Sequence, residues 1–280
     1  MFKLGFIDYY LDEWHANNYP AWIREASGGE VEVAYAYGKI DSPLGGLSTA
    51  AWCEKFGIDR CAGIEELVEK SDGLIVLSPD NCEMHEVLCQ VPLRSGKPTY
   101  VDKTFAPDYP TARRIFALAE ESGTPCYSTS ALRFAEEYRA IPLQDITGFS
   151  FWGPNDFETY AIHQLEPLMM LAAVPASRVM YLPGEDWYTL CVELADGRCG
   201  TITGFGTGAP FTAHIAARSG SIHAEVTSDF FRNFVAELVD FFRTGDVKVS
   251  HMETLSIMAV RGAGIEAQAN PGLWVPVPQI

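Results

Sequence analysis

Basic residues are scarce in this chain. Lys and Arg number 20 against 37 Asp and Glu, which leaves a formal net charge of −17 at pH 7. A surface that acidic repels nucleic acid and anionic lipid, so neither is expected as a partner. The charge does not exclude a phosphate-bearing ligand, because one local positive site overrides a distant field. No stretch of ~18 consecutive apolar residues occurs, which argues against a membrane-spanning helix. The seven cysteines (Cys53, Cys61, Cys82, Cys89, Cys126, Cys191 and Cys199) form no CxxC pair and leave an odd number. Reduced thiols in a cytoplasmic compartment are expected rather than a disulfide framework. Met1 runs directly into a strand-like segment with no basic leader or small-residue cleavage site, so no signal peptide is expected. Internal repeats and low-complexity linkers are also missing.

What is present fits a globular enzyme. Hydrophobic residues make up 48% and charged residues 20% of the 280 positions, enough to bury the core of one large or two modest domains. The first half alternates short apolar runs with helical stretches. Residues 3–7 and 31–37 read as strands, with a helix over 18–27 stopped by Gly28 and Gly29. Ser48 is placed to cap a helix ending at Phe56, with Gly57 just past its end. A short helix over 63–70 precedes residues 73–78, a continuous apolar strand of the kind buried on both faces. Asp80 is expected to cap a helix reaching Arg94. A strand at 99–101, a helix over 109–122 with Pro110 in its first turn and Gly123 at its end, and a last strand at 125–128 complete the series.

Alternation at this pitch predicts a Rossmann-like, doubly wound parallel sheet. Ligands in such sheets sit beyond the carboxyl ends of the strands, where strand order reverses. The loops to watch are therefore 8–15, 37–43, 78–81 and 102–106. After about Ser130 the pattern becomes α+β, with a mostly antiparallel open sheet. Strands are expected at 147–153, 178–182, 188–194, 199–205, 211–218 and 221–226, with the Asp196–Gly197 signal of a tight hairpin. Helices are expected over 160–173, 229–244 and 252–268. The change of pattern divides the chain into residues 1–127 and 128–280.

Two stretches carry a family resemblance. The first comprises the strand from Asp72 through Ser78 and Pro79, His85 on the next helix, the run from Gly96 through Asp102, Lys103 and Thr104, and Ser130 to Phe134. The second is His163 with Glu166 three residues later. Their order resembles the glucose–fructose oxidoreductase/inositol dehydrogenase (Gfo/Idh/MocA) family, over nearly the whole chain. That resemblance implies an NAD- or NADP-dependent oxidoreductase acting by hydride transfer on a sugar, cyclitol or related polyol, and a homo-oligomer, dimer or tetramer, built through the open sheet. It implies Lys103 and His163 as the catalytic pair. Asp8, Tyr10, Ser78, Pro79, Asn81 and Asp102 would line the cofactor, and Arg133, Tyr160 and Glu166 the substrate.

The chain departs from the family pattern at three places. Where the family has Gly-x-Gly-x-x-Gly after the first strand, this chain has Asp8-Tyr9-Tyr10-Leu11-Asp12-Glu13. Those glycines let backbone approach a pyrophosphate at the helix N-terminus. The second strand ends in Tyr37-Gly38-Lys39, with no acid for a ribose diol; Lys39 either meets a 2′-phosphate or is a solvated lysine. Glu-Lys-Pro has become Asp102-Lys103-Thr104, His-x-x-Asp has become His163-x-x-Glu166, and Thr159 stands where the family often has an acid. The alternative to a dehydrogenase is thus a cofactor-free homologue that binds or senses a small carbohydrate.

The candidate residues have bland readings as well. Lys103 either eases a proton from a substrate hydroxyl or is a solvated loop lysine, with Asp102 as its expected charge partner. His163 is either a general base, its tautomer fixed by Glu166 one turn away, or an interface histidine. A metal site on those two residues lacks a third ligand. Arg133 either reaches substrate or pairs with a carboxylate. Residues 12–15 are expected to cap and begin the first helix, with Trp14 packed.

Overall fold

A computed structural model describes every residue except Thr207. It divides into two compact units, Met1–Thr129 with Phe234–His251, and Ser130–Asn233 with Met252–Ile280.

The first unit holds β1 (Phe2–Asp8), α1 (Trp14–Ala26), β2 (Val31–Gly38), α2 (Thr49–Phe56), β3 (Asp59–Arg60), α3 (Ile64–Lys70), β4 (Gly73–Val76), α4 (His85–Leu88), β5 (Thr99–Val101), α5 (Tyr109–Ser122) and β6 (Cys126–Tyr127). The six strands form one parallel sheet in the order β3-β2-β1-β4-β5-β6. Strand order reverses between β1 and β4, which puts the ligand crevice of such a sheet at their carboxyl ends. Every residue of β4 is buried, as its unbroken apolar run requires.

Local chemistry fixes the helix ends. The Ser48 hydroxyl accepts from Ala51 N at 3.2 Å, and Gly57 ends α2 with φ +65°. Asp108 accepts from Thr111 N at 2.8 Å, and Gly123 ends α5 with φ +64°. A left-handed terminal residue satisfies orphan carbonyls, and glycine adopts it without a Cβ clash.

The helix expected from Asp80 to Arg94 breaks into pieces. Short 3₁₀ turns at Cys82–Met84 and Pro92–Arg94 flank the single turn of α4. Pro92 has no N–H to offer the Leu88 carbonyl, so one hydrogen bond of a continued helix is missing there. His85 is wholly buried, its ring nitrogens 2.5 Å from the Leu77 carbonyl and 2.9 Å from that of Phe105. It ties the segments after β4 and β5 together, a structural task.

The second unit contains α6 (Glu136–Arg139), β7 (Ile146–Pro154), α7 (Phe157–Ala172), β8 (Ala176–Pro183), β9 (Trp187–Leu194), β10 (Cys199–Phe205), β11 (Thr212–Ala217) and β12 (Gly220–Glu225). After β12 come α8 (Phe230–Thr244), α9 (His251–Gln268) and β13 (Trp274–Pro276), a strand the sequence pattern does not reveal. The seven-stranded sheet runs β12-β11-β7-β10-β9-β8-β13, antiparallel except for the β7–β10 pair. One face packs on α7. The other carries Trp152, half exposed, and hydroxyl pairs such as Thr189 with Thr203 at 2.8 Å.

The sequence-based division into 1–127 and 128–280 misses one exchange. Residues 234–251, most of α8, belong to the first unit. The reason is aromatic packing: Phe234 meets Tyr19 and Tyr100, Phe241 meets Tyr127, and Phe242 meets Phe2 in tilted or edge-on pairs with ring centroids 4.8–6.1 Å apart. A helix that buries this face completes the core of the parallel sheet, however late it comes in the chain.

Candidate functional site

In the first unit, β1 delivers Asp8 to the carboxyl edge, 1% exposed. Its Oδ1 accepts from the Ser78 hydroxyl at 3.0 Å, and Ser78 Oγ accepts from Tyr9 N at 2.9 Å. The other oxygen, Oδ2, is buried without a hydrogen-bond partner. Burial first, and then the charge of Glu13, push the Asp8 carboxyl well above the usual carboxylate range, against the pull of Ser78 and the Tyr9 amide. Tyr10 is buried as well, its hydroxyl pushed upward by burial and by Asp80, Asp8 and Glu13.

Glu13 is the N-cap of α1, its carboxylate accepting from Ala16 N and from His15 N, the latter at 2.8 Å. The sequence reading of residues 12–15 as a capping segment holds, although Trp14 is half exposed. His15 turns toward the sheet edge. Its Nδ1 lies 3.2 Å from Glu13 Oε2 and 3.8 Å from Asp102 Oδ2. Asp102 follows β5, is buried, and has the Tyr100 hydroxyl 3.0 Å from its Oδ1.

The expected Asp102–Lys103 pair does not form, and among the described residues no ion pair joins them. Adjacent residues leaving a strand end point apart, so Asp102 turns to Tyr100 and His15. Lys103 itself is 8% exposed rather than solvated. Pro79 is buried behind Ser78, whereas the Asn81 amide donates to Glu83 at 3.0 Å and does not join the cluster.

These observations test the fit of a dinucleotide. A pyrophosphate in the glycine-loop pose rests on free N–H groups at the N-terminus of the first helix. Here Glu13 already accepts from those amides and adds a negative charge. The backbone after β2 closes over the turn too, with Lys39 N donating to Asp8 O at 3.0 Å and Ile40 N to Tyr9 O at 2.9 Å. Asp12 draws the next loop in by accepting from Leu47 N at 2.7 Å. A dinucleotide in that pose does not fit this turn. The Lys39 side chain is exposed, the solvated reading.

In the second unit, α7 presents Tyr160, His163 and Glu166. His163 Nδ1 lies 2.7 Å from the Ser130 hydroxyl, and its ring stands between Tyr160 and Phe211, with centroids 5.2 and 5.9 Å away. Ser130 thus holds that ring nitrogen. Glu166, buried, has the Arg133 guanidinium 3.6 Å away, and Arg133 also pairs with Glu253 on α9. Arg133 is thus a carboxylate partner. Thr159 hydrogen-bonds Asp156 and completes the cap of α7.

Sequence reasoning passed over Glu13, His15 and Ser130 as site residues. Glu13 had a legible signal, an acid three residues before an unpaired amide at a helix start. Ser130 and His163 stand 33 positions apart, and no spacing rule joins them.

No family model and no curated protein sequence matches the chain. Solved structures do. Myo-inositol 2-dehydrogenase from Lactobacillus plantarum superposes with a TM-score of 0.80 at 12% identity, covering 99% of each chain. Apo scyllo-inositol dehydrogenase from Lactobacillus casei gives 0.80 at 14% identity, over 99% of this chain and 98% of that one. An oxidoreductase from Agrobacterium radiobacter, in complex with NAD+, L-tartaric acid and magnesium, gives 0.80 at 14%, with the same coverage. At these identities the likeness is one of fold: this chain has the two-domain architecture of the inositol dehydrogenases and related oxidoreductases, as the sequence resemblance implied.

Proposed function

We propose that this chain binds a small sugar, cyclitol or related polyol and handles the proton of one of its hydroxyl groups, the acid–base task of a polyol oxidoreductase. The observation that carries this reading is Lys103, held nearly buried just past the carboxyl end of β5 next to Asp102. An ammonium there donates to a substrate oxygen and eases its proton away. His163 supplies an imidazole of the same use, steadied by Ser130. Tyr160, its ring beside that imidazole, offers a hydroxyl-binding group.

In its redox form the reading is an NAD- or NADP-dependent oxidoreductase, favoured by a fold shared with inositol dehydrogenases and an NAD-bound oxidoreductase. Because the opening turn is closed to a pyrophosphate, no step is assigned to the dinucleotide. Glu13 on the α1 amides favours the second reading, a cofactor-free carbohydrate binder. A homo-oligomer formed through the open face of the second sheet is part of the proposal in either form.

Thermal melts with NAD, NADH, NADP, NADPH and a panel of inositols and aldoses separate the forms. A ligand at 100 times its Kd raises stability by about 2.7 kcal/mol. Shifts with a nucleotide and a polyol support the oxidoreductase; shifts with a polyol alone support the binder. No shift with any polyol, or one unchanged in Lys103→Ala and His163→Ala, overturns the proposal.

A further inference from the structure

The second unit carries a cleft of about 640 Å³ that none of the candidate catalytic, cofactor or substrate residues lines. It opens beside the start of α7, the β8–β9 hairpin and the end of β10. Its walls are aromatic. The Tyr181 and Tyr188 rings stack at 13° with centroids 5.8 Å apart, and Phe157 meets both edge-on at 5.7 and 5.3 Å. Trp187 stands at the rim, 44% exposed.

The chain makes room for these rings with glycine. A Cβ on Gly184 would fall 2.1 Å from the Trp187 indole, one on Gly204 would fall 2.1 Å from the Tyr188 ring, and one on Gly264 would fall 2.4 Å from Phe157. Contacts that close tolerate no side chain. The aromatic lining is therefore written into three separate positions.

Its charge is of one sign. Asp156, Glu158, Glu185 and Asp186 all line the cleft, and among the described residues no Lys or Arg does. Burial works against ionisation of Asp156, but hydrogen bonds from the Thr159 side chain and amide hold it below the usual aspartate range. Arg261, on α9, donates to the Glu158 carbonyl. At the inner wall the Tyr188 hydroxyl is buried, with the Gln164 side-chain amide as its polar neighbour.

We propose that this cleft binds a small organic cation, an ammonium carried on an apolar or hydroxylated skeleton. Aromatic faces attract such cations through their quadrupole, and the carboxylates add long-range attraction. A neutral sugar would gain stacking but would leave four carboxylates uncompensated. An anion would meet only repulsion.

Isothermal titration of the full chain tests the proposal with choline and glucosamine as probes, each beside its neutral counterpart, 3,3-dimethylbutan-1-ol or glucose. At least one cation is expected to bind saturably, about tenfold or more tighter than its counterpart, and more weakly as salt rises. Trp187→Ala, at an exposed rim position, and the pair Glu185→Gln with Asp186→Asn should each weaken it about tenfold. Circular dichroism melts confirm that the variants fold. Neutral counterparts binding as well as the cations, variants binding as well as the parent, or no saturable binding of either cation would overturn it.

Discussion

Replacing Glu13 by Ala separates two consequences of one carboxylate. The first is structural. Glu13 accepts from two amides at the start of α1, and loss of a side-chain N-cap costs about 1 kcal/mol. For a chain of this length that lowers the melting temperature by roughly 2–4 °C. The second is electrostatic. Two unit charges ~4 Å apart repel by about 4 kcal/mol at an effective dielectric of 20, so a phosphate brought to the α1 amides is opposed on the order of a thousandfold. Removing the carboxylate lifts that opposition and frees the amides. Melts of parent and variant with and without NADH and inorganic pyrophosphate read both effects. The variant should start lower and gain stability from ligand where the parent gains none at that turn. Equal gains in both proteins, or none in the variant, would refute the assignment of Glu13 as the dominant barrier among the groups that close the pyrophosphate seat.

Other outcomes follow from named groups. Asp8→Asn should stabilise the fold increasingly as pH rises above about 4. A carboxyl whose folded value is raised contributes stability fully below its unfolded value and loses it as pH climbs toward the folded one, and Asn does not titrate; a pH series of melts reads the divergence. Glu137 behaves oppositely. Burial works against its ionisation, yet hydrogen bonds from Ser228 and the Thr227 amide hold it down at about 2, from an ordinary 4.5. Its contribution is present above pH 4.5 and fades toward pH 2, so Glu137→Gln should melt lower at neutral pH and converge with the parent in acid. Gly204→Ala should cost about 1–3 kcal/mol in urea unfolding, because the new methyl meets the Tyr188 ring at 2.1 Å and the Asn155 carbonyl at 2.7 Å. If catalysis uses His163, Ser130→Ala should shift the pH profile of turnover, whereas a merely structural serine would change only stability.

The parallel sheet, most of its helices and the change to an antiparallel sheet were legible because each rests on local signals. Apolar runs of strand length, Ser48 and Gly57 around one helix, and Pro110 with Gly123 around another all act within a few residues.

The site was legible in position but not in wiring. Sequence placed Asp8, Ser78, Asp102 and Lys103 at one sheet edge, since a doubly wound topology sends every strand's carboxyl end to the same side. It did not show that Asp102 turns to Tyr100 and His15, or that Ser130 takes the His163 nitrogen. The assignment of α8 to the first unit and the aromatic, carboxylate-lined cleft were equally hidden. Short-range steric and capping preferences are carried by neighbouring residues, so the sequence alone determined the elements and their order. Which buried polar groups find one another depends on chain segments tens to hundreds of positions apart. Only the tertiary structure decided that.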